Sequence, residues 1–266
     1  CAGVKFQQFE IRRLFAPEAL HAHPELLARE RWELPRGFNA QLAARAREKG
    51  IGFASTPFHL GAVDELAPHV SFFKIASYQL LWSELLRAVA RTKKPVVLAT
   101  GMGTLEEVRA AVALLRREGC TELTLLHCVS AYPTPAEEAN LAAIETLRKT
   151  FGVPAGWSDH THDPEVLERA VRRFGAAMIE FHFDLDGRGD EYVMGHCWLP
   201  GDIAWVIQNA QRSFPSDLRR SHPADGDGKK EPRPAERQER EWRTDPADGL
   251  RPLQATRARL LRQAVA

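Results

Sequence analysis

Two histidines, two aspartates, a serine and a threonine stand beside a tryptophan in GWSDHTHD, residues 156–163. IEFHFDLD follows at residues 179–186. Both stretches close apolar runs with ligand-type side chains. A buried strand interior would strip such groups of hydration without compensation. A strand end facing a reaction site has a use for them. His160 and His182 supply two imidazoles, which suit one transition-metal ion with open positions for water or substrate.

Polar residues recur where the other apolar runs end. Lys5 and Gln7, Ser55 and Thr56, and Lys74 and Ser77 close the early runs. Thr100, then Ser130 and Tyr132, then Ser158, Asp159 and Glu180 close the later ones. Lysines with hydroxyl donors suit a small anionic substrate such as a phosphorylated acid. A lone lysine at a strand end reads as a solvated cap. Lys5 in VKFQ and Lys74 in FFKIAS are embedded in apolar runs, where a buried ammonium needs partners. His127 follows two leucines and reads as a hydrogen-bonded core histidine. His162 and His196 read as loop residues, Asp163 as a helix cap, and Trp157 and Phe181 as packing residues.

The elements that must position these groups alternate in type. Short apolar runs lie at 3–6, 51–55, 70–77, 95–100, 123–128, 154–158 and 176–183. They lack clean two-residue alternation, as expected of strands covered on both faces. Thr104 with Glu107 predicts a capping box for a helix over 105–118, and Gly119 predicts its end. Asp163 and Pro164 read as N-cap and first helical residue, with Gly175 as the stop. Further helices are expected over 39–50, ending at Gly50, and over 82–94, with a cationic last turn. Strand–helix units at roughly 25-residue spacing predict a parallel α/β fold. Seven strands are one short of a (β/α)8 barrel. A doubly wound sheet is the rival, but no GxGxxG follows any strand.

Composition narrows the partners. The 266 residues carry 36 basic and 35 acidic side chains, a net charge of +1 that gives no electrostatic reason to expect nucleic acid or a membrane surface. No apolar run reaches the roughly 18 residues of a membrane span, and CAGVKFQQFE lacks the basic and apolar segments of a signal peptide. Four cysteines without a CxxC pair fit a reduced, cytoplasmic setting and argue against a cysteine-based zinc site. The chain starts without Met, almost directly in a strand-like run, and reads as a fragment. Residues 1–212 are expected to form the barrel domain. Residues 213–266 are rich in Pro, Asp, Arg and Glu and read as a linker or tail, with a terminal helix over 253–266.

VKFQ, FASTPF, FKIAS, LATGMGTLEEV, LLHCVSAYPTP, NLAAIETLRKTFG, GWSDHT and IEFHFDLD together resemble the sialic acid synthase family, in order and at family-like spacing from residue 3 to residue 212. That resemblance implies an α/β fold of the TIM (β/α)8 barrel type. It implies condensation of phosphoenolpyruvate with N-acetylmannosamine or a related amino sugar to a nonulosonic acid, with release of phosphate. The alkene carbon would attack a metal-polarised aldehyde, water would add to the oxocarbenium carbon, and phosphate would leave. By similarity, His160 and His182 match metal ligands for Mn2+, with Mg2+ or Co2+ as alternatives. Lys5, Thr56, Lys74, Ser77, Ser130 and Ser158 match positions that hold phosphoenolpyruvate, and Tyr132 matches a position near the sugar. A homodimer is implied for the intact protein.

The sequence also departs from the family. The EIGxNHxG motif is not present, so the barrel is expected to lack its first β–α unit. KIASYQ puts Gln79 where the family has a carboxylate, which makes Gln79 with Tyr132 the candidate catalytic pair. ATGM puts Ala99 where the family has a hydroxyl. GRGDEYVMGHCW replaces RPGPDH, and ungapped counting sets Val193 at its Asp. The sequence is expected to carry no counterpart of the family's C-terminal antifreeze-like domain. Two rival readings are another metal-dependent barrel aldolase or hydrolase, and a degenerate barrel that only binds phosphoenolpyruvate.

Overall fold

The computed structural model describes residues 1–212. The linker and terminal helix expected beyond residue 212 lie outside the described residues. Two compact units divide the chain after Thr124.

In the first unit, strands β1 (Gly3–Gln8), β2 (Gly52–Pro57), β3 (Phe72–Ile75) and β4 (Val96–Ala99) pair in parallel and in chain order. Each connection is helical: α1 (Ile11–Leu14), α2 (Pro17–Ala22), a 3-10 helix (Pro24–Trp32) and α3 (Phe38–Glu48) precede β2. Helix α4 (Leu60–Leu66) precedes β3, α5 (Ser83–Arg91) precedes β4, and α6 (Leu105–Arg117) follows it. The sequence signals hold at α6. Thr104 Oγ1 accepts the Glu107 N–H at 3.2 Å and Glu107 Oε2 accepts the Thr104 N–H at 2.8 Å. Gly119 ends the helix at φ +98°. Helices α1 and α2 and the 3-10 turn carry no long apolar stripe and were not expected. Ile11, Phe15 and Leu26 make a small core of their own beneath them.

In the second unit, β5 (Leu123–His127), β6 (Ala155–Asp159), β7 (Ile179–Phe183) and β8 (Cys197–Trp198) run parallel in order. Helices α7 (Ala142–Phe151), α8 (Pro164–Arg172) and α9 (Asp190–Val193) connect them, and α10 (Pro200–Arg212) follows β8. Asp163 Oδ1 accepts the Glu165 N–H at 2.8 Å, so Asp163 is the cap its position implies. A two-residue β8 raises the expected seven strands to eight among the described residues. Gly156 is required by close approach: a Cβ there would collide with the Met178 carbonyl. His127 is the core histidine its leucines suggested. Its Nε2 lies 3.0 Å from the Ala139 carbonyl, its ring packs on Trp157, and burial pushes its pKa down to about 4. No helix among the described residues is long and apolar enough to cross a membrane.

Candidate active site

Strand register sorts the second unit's polar side chains onto two faces. Ser158 pairs with Glu180, and His182 pairs with Cys197. Side chains two residues apart share a face, so Ser158, His160, Glu180, His182 and Cys197 fall on one side. Trp157, Asp159, Phe181 and Trp198 fall on the other. That second face is a structural lock. Asp159 is fully buried and accepts the indole N–H of Trp157 at 3.0 Å and of Trp198 at 2.9 Å. It also accepts the Thr161 hydroxyl at 2.7 Å and the backbone N–H groups of Thr161 and His162. Every donor holds the turn that carries His160.

On the first face, imidazoles gather around Tyr132. Its ring centroid lies 4.2 Å from that of His160, 5.1 Å from His196 and 6.1 Å from His182. His160 and His182 stand 5.4 Å apart, and His182 and His196 stand 4.8 Å apart. His160 Nδ1 lies 2.7 Å from the Val129 carbonyl. A carbonyl oxygen only accepts, so Nδ1 carries the proton and Nε2 keeps its lone pair. Burial, aided by nearby His182, pushes the His160 pKa down to about 4 against the pull of that carbonyl. Burial lowers that of His196 as well. Neutral imidazoles with unprotonated ring nitrogens are what a metal ion requires. His182 Nδ1 is 3.1 Å from Glu191 Oε2. Ligand atoms of His182, Glu191, His196 and Cys197 all lie within 4.8 Å of one another. His196 is 2% exposed, and its Nδ1 has no hydrogen-bond partner. The donor set therefore fits a divalent cation.

Tyr132, His160 and His182 lie together, and strand pairing sets Ser158 on the face of His160 and His182. Ser158 is buried and donates its hydroxyl to Glu180 Oε2 at 2.8 Å. Ser130 lies half-buried two residues before Tyr132. His196 lies in the loop just before β8, as its sequence position suggests, and the structure also places it buried beside the ligand cluster. One sequence signal pointed there: Glu191, His196 and Cys197 fall within seven residues.

The remaining candidates belong to the first unit. Gln7 pairs with Thr56, and Ser55 pairs with Phe73, so the next pair along is Thr56 beside Lys74. Lys5, two residues before Gln7, shares their face. Thr56 and Lys74 are buried at 1% and 8% exposure. Thr56 Oγ1 has no hydrogen-bond partner. Ser77 Oγ accepts the Gly101 N–H at 3.1 Å. Gln79 occupies the position of a family carboxylate and is a catalytic candidate with Tyr132. Its Oε1 accepts the Ala76 N–H at 2.9 Å, and its Nε2 donates to the Pro57 carbonyl at 2.7 Å. The amide braces the end of β2 to the turn after β3.

Known proteins resemble this chain in sequence and in fold. The model of the NeuB family matches residues 1–213. An uncharacterized protein of Methanocaldococcus jannaschii is 40% identical over 201 residues, covering 74% of this chain and 56% of that protein. The N,N'-diacetyllegionaminic acid synthase of Campylobacter jejuni is 34% identical over 196 residues, 69% of this chain and 58% of the synthase. The chain therefore spans a little over half the length of these relatives. A crystal structure of N-acetylneuraminic acid synthetase from Leptospira borgpetersenii aligns with a TM-score of 0.74 and 28% identity, covering 93% of this chain and 82% of that one. The fold class is accordingly the α/β TIM barrel, and the chain belongs to the NeuB family.

Proposed function

We propose that the chain is the barrel portion of an enzyme that condenses phosphoenolpyruvate with an amino sugar and releases phosphate. One observation carries the reading: Tyr132 stands among the imidazoles of His160, His182 and His196 on a single strand-end face. Synthases of sialic-type acids among the chain's relatives support it. His160 and His182, with His196 and Glu191 beside them, would hold a divalent ion, for which Mn2+, Mg2+ and Co2+ are the candidates. Such an ion supplies Lewis-acid polarisation of the acceptor's aldehyde oxygen. The Val129 carbonyl fixes the His160 tautomer and ring plane. Tyr132, 39% exposed, is read as a contact for the incoming sugar.

In the first unit, Lys5, Thr56, Lys74 and Ser77 are read as the anion-binding set. A buried hydroxyl without a partner costs about 1–3 kcal/mol, and a phosphate or carboxylate oxygen at Thr56 would remove that cost. Ser130 and Ser158 are read as further substrate contacts. Gln79 is read as a positioning residue, because its amide is committed to backbone and has no proton to exchange at neutral pH.

The test uses the full-length protein carrying this sequence, with phosphoenolpyruvate, a divalent ion, and either N-acetylmannosamine or diacetylated amino hexoses. Phosphate release that requires both phosphoenolpyruvate and an acceptor is expected. Release at the same rate without any acceptor would overturn the reading.

A further inference from the structure

A single threonine ties Tyr132 to His160. The segment from Val129 to Thr134 leaves β5 and leads to a 3-10 turn at Ala136–Glu138, with no helix or strand of its own. Individual hydrogen bonds therefore set its shape. The Thr134 N–H donates to the His160 carbonyl at 2.8 Å. The Thr134 hydroxyl donates to the Ala131 carbonyl at 2.9 Å, with the Val129 carbonyl at 3.3 Å as a longer second acceptor. That same Val129 carbonyl accepts the Nδ1 proton of His160 at 2.7 Å. The contacts close a ring: Thr134 main chain to His160 main chain, His160 imidazole to Val129, and Val129 back to the Thr134 hydroxyl. Thr134 is 3% exposed, whereas Tyr132, two residues earlier, is 39% exposed, so the buried end anchors the exposed one. The 3-10 turn that follows has Pro135 at its start and no side-chain cap, so the hydroxyl does not serve as a helix cap. A peptide group is planar, so holding the Ala131 carbonyl also fixes the Tyr132 nitrogen in the same plane.

We propose that Thr134 is a positioning residue for the condensation: it sets the Tyr132 ring against the His160 imidazole and holds the Val129 carbonyl that orients that imidazole. The role rests on the proposed function, in which His160 helps to hold the ion and Tyr132 meets the sugar. Thr134 acts on both through backbone carbonyls. A role in folding alone would lower stability and leave the affinities of the folded protein unchanged. A positioning role changes those affinities.

Thr134→Val and Thr134→Ser in the full-length protein test this. Valine keeps the branched shape and removes the proton donor, whereas serine keeps the donor. Mn2+ affinity is measured by calorimetry without substrates, below the melting temperature of each variant. Thr134→Val should weaken Mn2+ binding by roughly tenfold, as loss of a partner behind a metal ligand does. Thr134→Ser should restore it. The KM for the acceptor that drives phosphate release, N-acetylmannosamine or a diacetylated amino hexose, should rise by a similar factor in Thr134→Val and return in Thr134→Ser. If Thr134→Val does not fold, Thr134→Ala removes the donor without setting a methyl against two carbonyls, and the same outcomes apply. A lower melting temperature with parental Mn2+ affinity, or with parental KM, would overturn the proposal. Equal impairment in Thr134→Ser would overturn it too, because the hydroxyl would not be the cause. The two proposals fail separately. Acceptor-dependent phosphate release by the parent, with parental Mn2+ affinity in Thr134→Val, would sink the positioning role alone. Weakened Mn2+ binding that serine restores, without acceptor-dependent release by the parent, would sink the proposed function alone.

Discussion

Trp198 donates its indole N–H to Asp159 Oδ2 across 2.9 Å, joining β8 to the end of β6 over 39 residues of sequence. Each partner is followed or preceded by a candidate ligand, His160 after Asp159 and Cys197 before Trp198. The lock on one face therefore sets the spacing on the other. Trp198→Phe keeps an aromatic ring but removes the donor and part of the buried volume, leaving Oδ2 with the longer His162 N–H contact of 3.3 Å. Thermal unfolding should show a loss of about 1–3 kcal/mol. An unchanged melting temperature would show that the bond is not a brace.

Gly156 marks another limit on β6. No Cβ fits against the Met178 carbonyl, so Gly156→Ala must push β6 and β7 apart where Ser158 meets Glu180. Overpacking of this kind costs about 1–3 kcal/mol. Urea unfolding should show a lower midpoint with an unchanged slope. Parental stability would mean that the strands separate without penalty.

His127 predicts a pH dependence of stability. Its folded pKa of about 4 lies below the ordinary 6.5, because burial disfavours the charged ring. Between those values the unfolded chain binds the proton and the folded chain does not. Stability is therefore full above 6.5 and is lost as pH falls toward 4. The loss attributable to this residue is on the order of 3 kcal/mol. His127→Gln removes the titration, so its urea midpoint should fall less steeply across this range than the parent's. Parallel profiles would contradict the burial of a neutral ring.

How much of this was legible in the sequence depended on how local the cause was. Thr104 with Glu107, Asp163 with Pro164, and Gly119 each act within one helical turn, and each was read correctly. Strand β8 was not legible, because two residues make no apolar run. Trp198 finds its place through Asp159, far away in sequence. The burial of His196, a loop residue as its position suggests, was not legible for the same reason: only the strand pair of His182 with the neighbouring Cys197 sets it among ligands. Gln79 shows the opposite limit. Its position suggested chemistry, while its two backbone bonds show a brace.

Thr56 and Lys74 separate binding from folding. Thr56→Val removes a buried hydroxyl that has no partner in the protein. Stability should hold or rise, while phosphoenolpyruvate binding measured by calorimetry weakens. Lys74→Met should weaken that binding by roughly tenfold or more, since a charge-assisted contact is worth about 1.5–3 kcal/mol. Parental affinity in both variants would make these residues structural.

The central claim is condensation at carbon, and it can be read from one oxygen atom. In the proposed reaction water adds to the carbon that bears the phosphate ester, and the carbon–oxygen bond then breaks. The bridging oxygen leaves with phosphorus. Phosphoenolpyruvate labelled with oxygen-18 at that bridge should therefore give labelled inorganic phosphate, seen by the isotope shift in phosphorus NMR, when the full-length protein turns over an amino sugar. Unlabelled phosphate, with the label retained in pyruvate, would mean simple hydrolysis at phosphorus and would contradict the account.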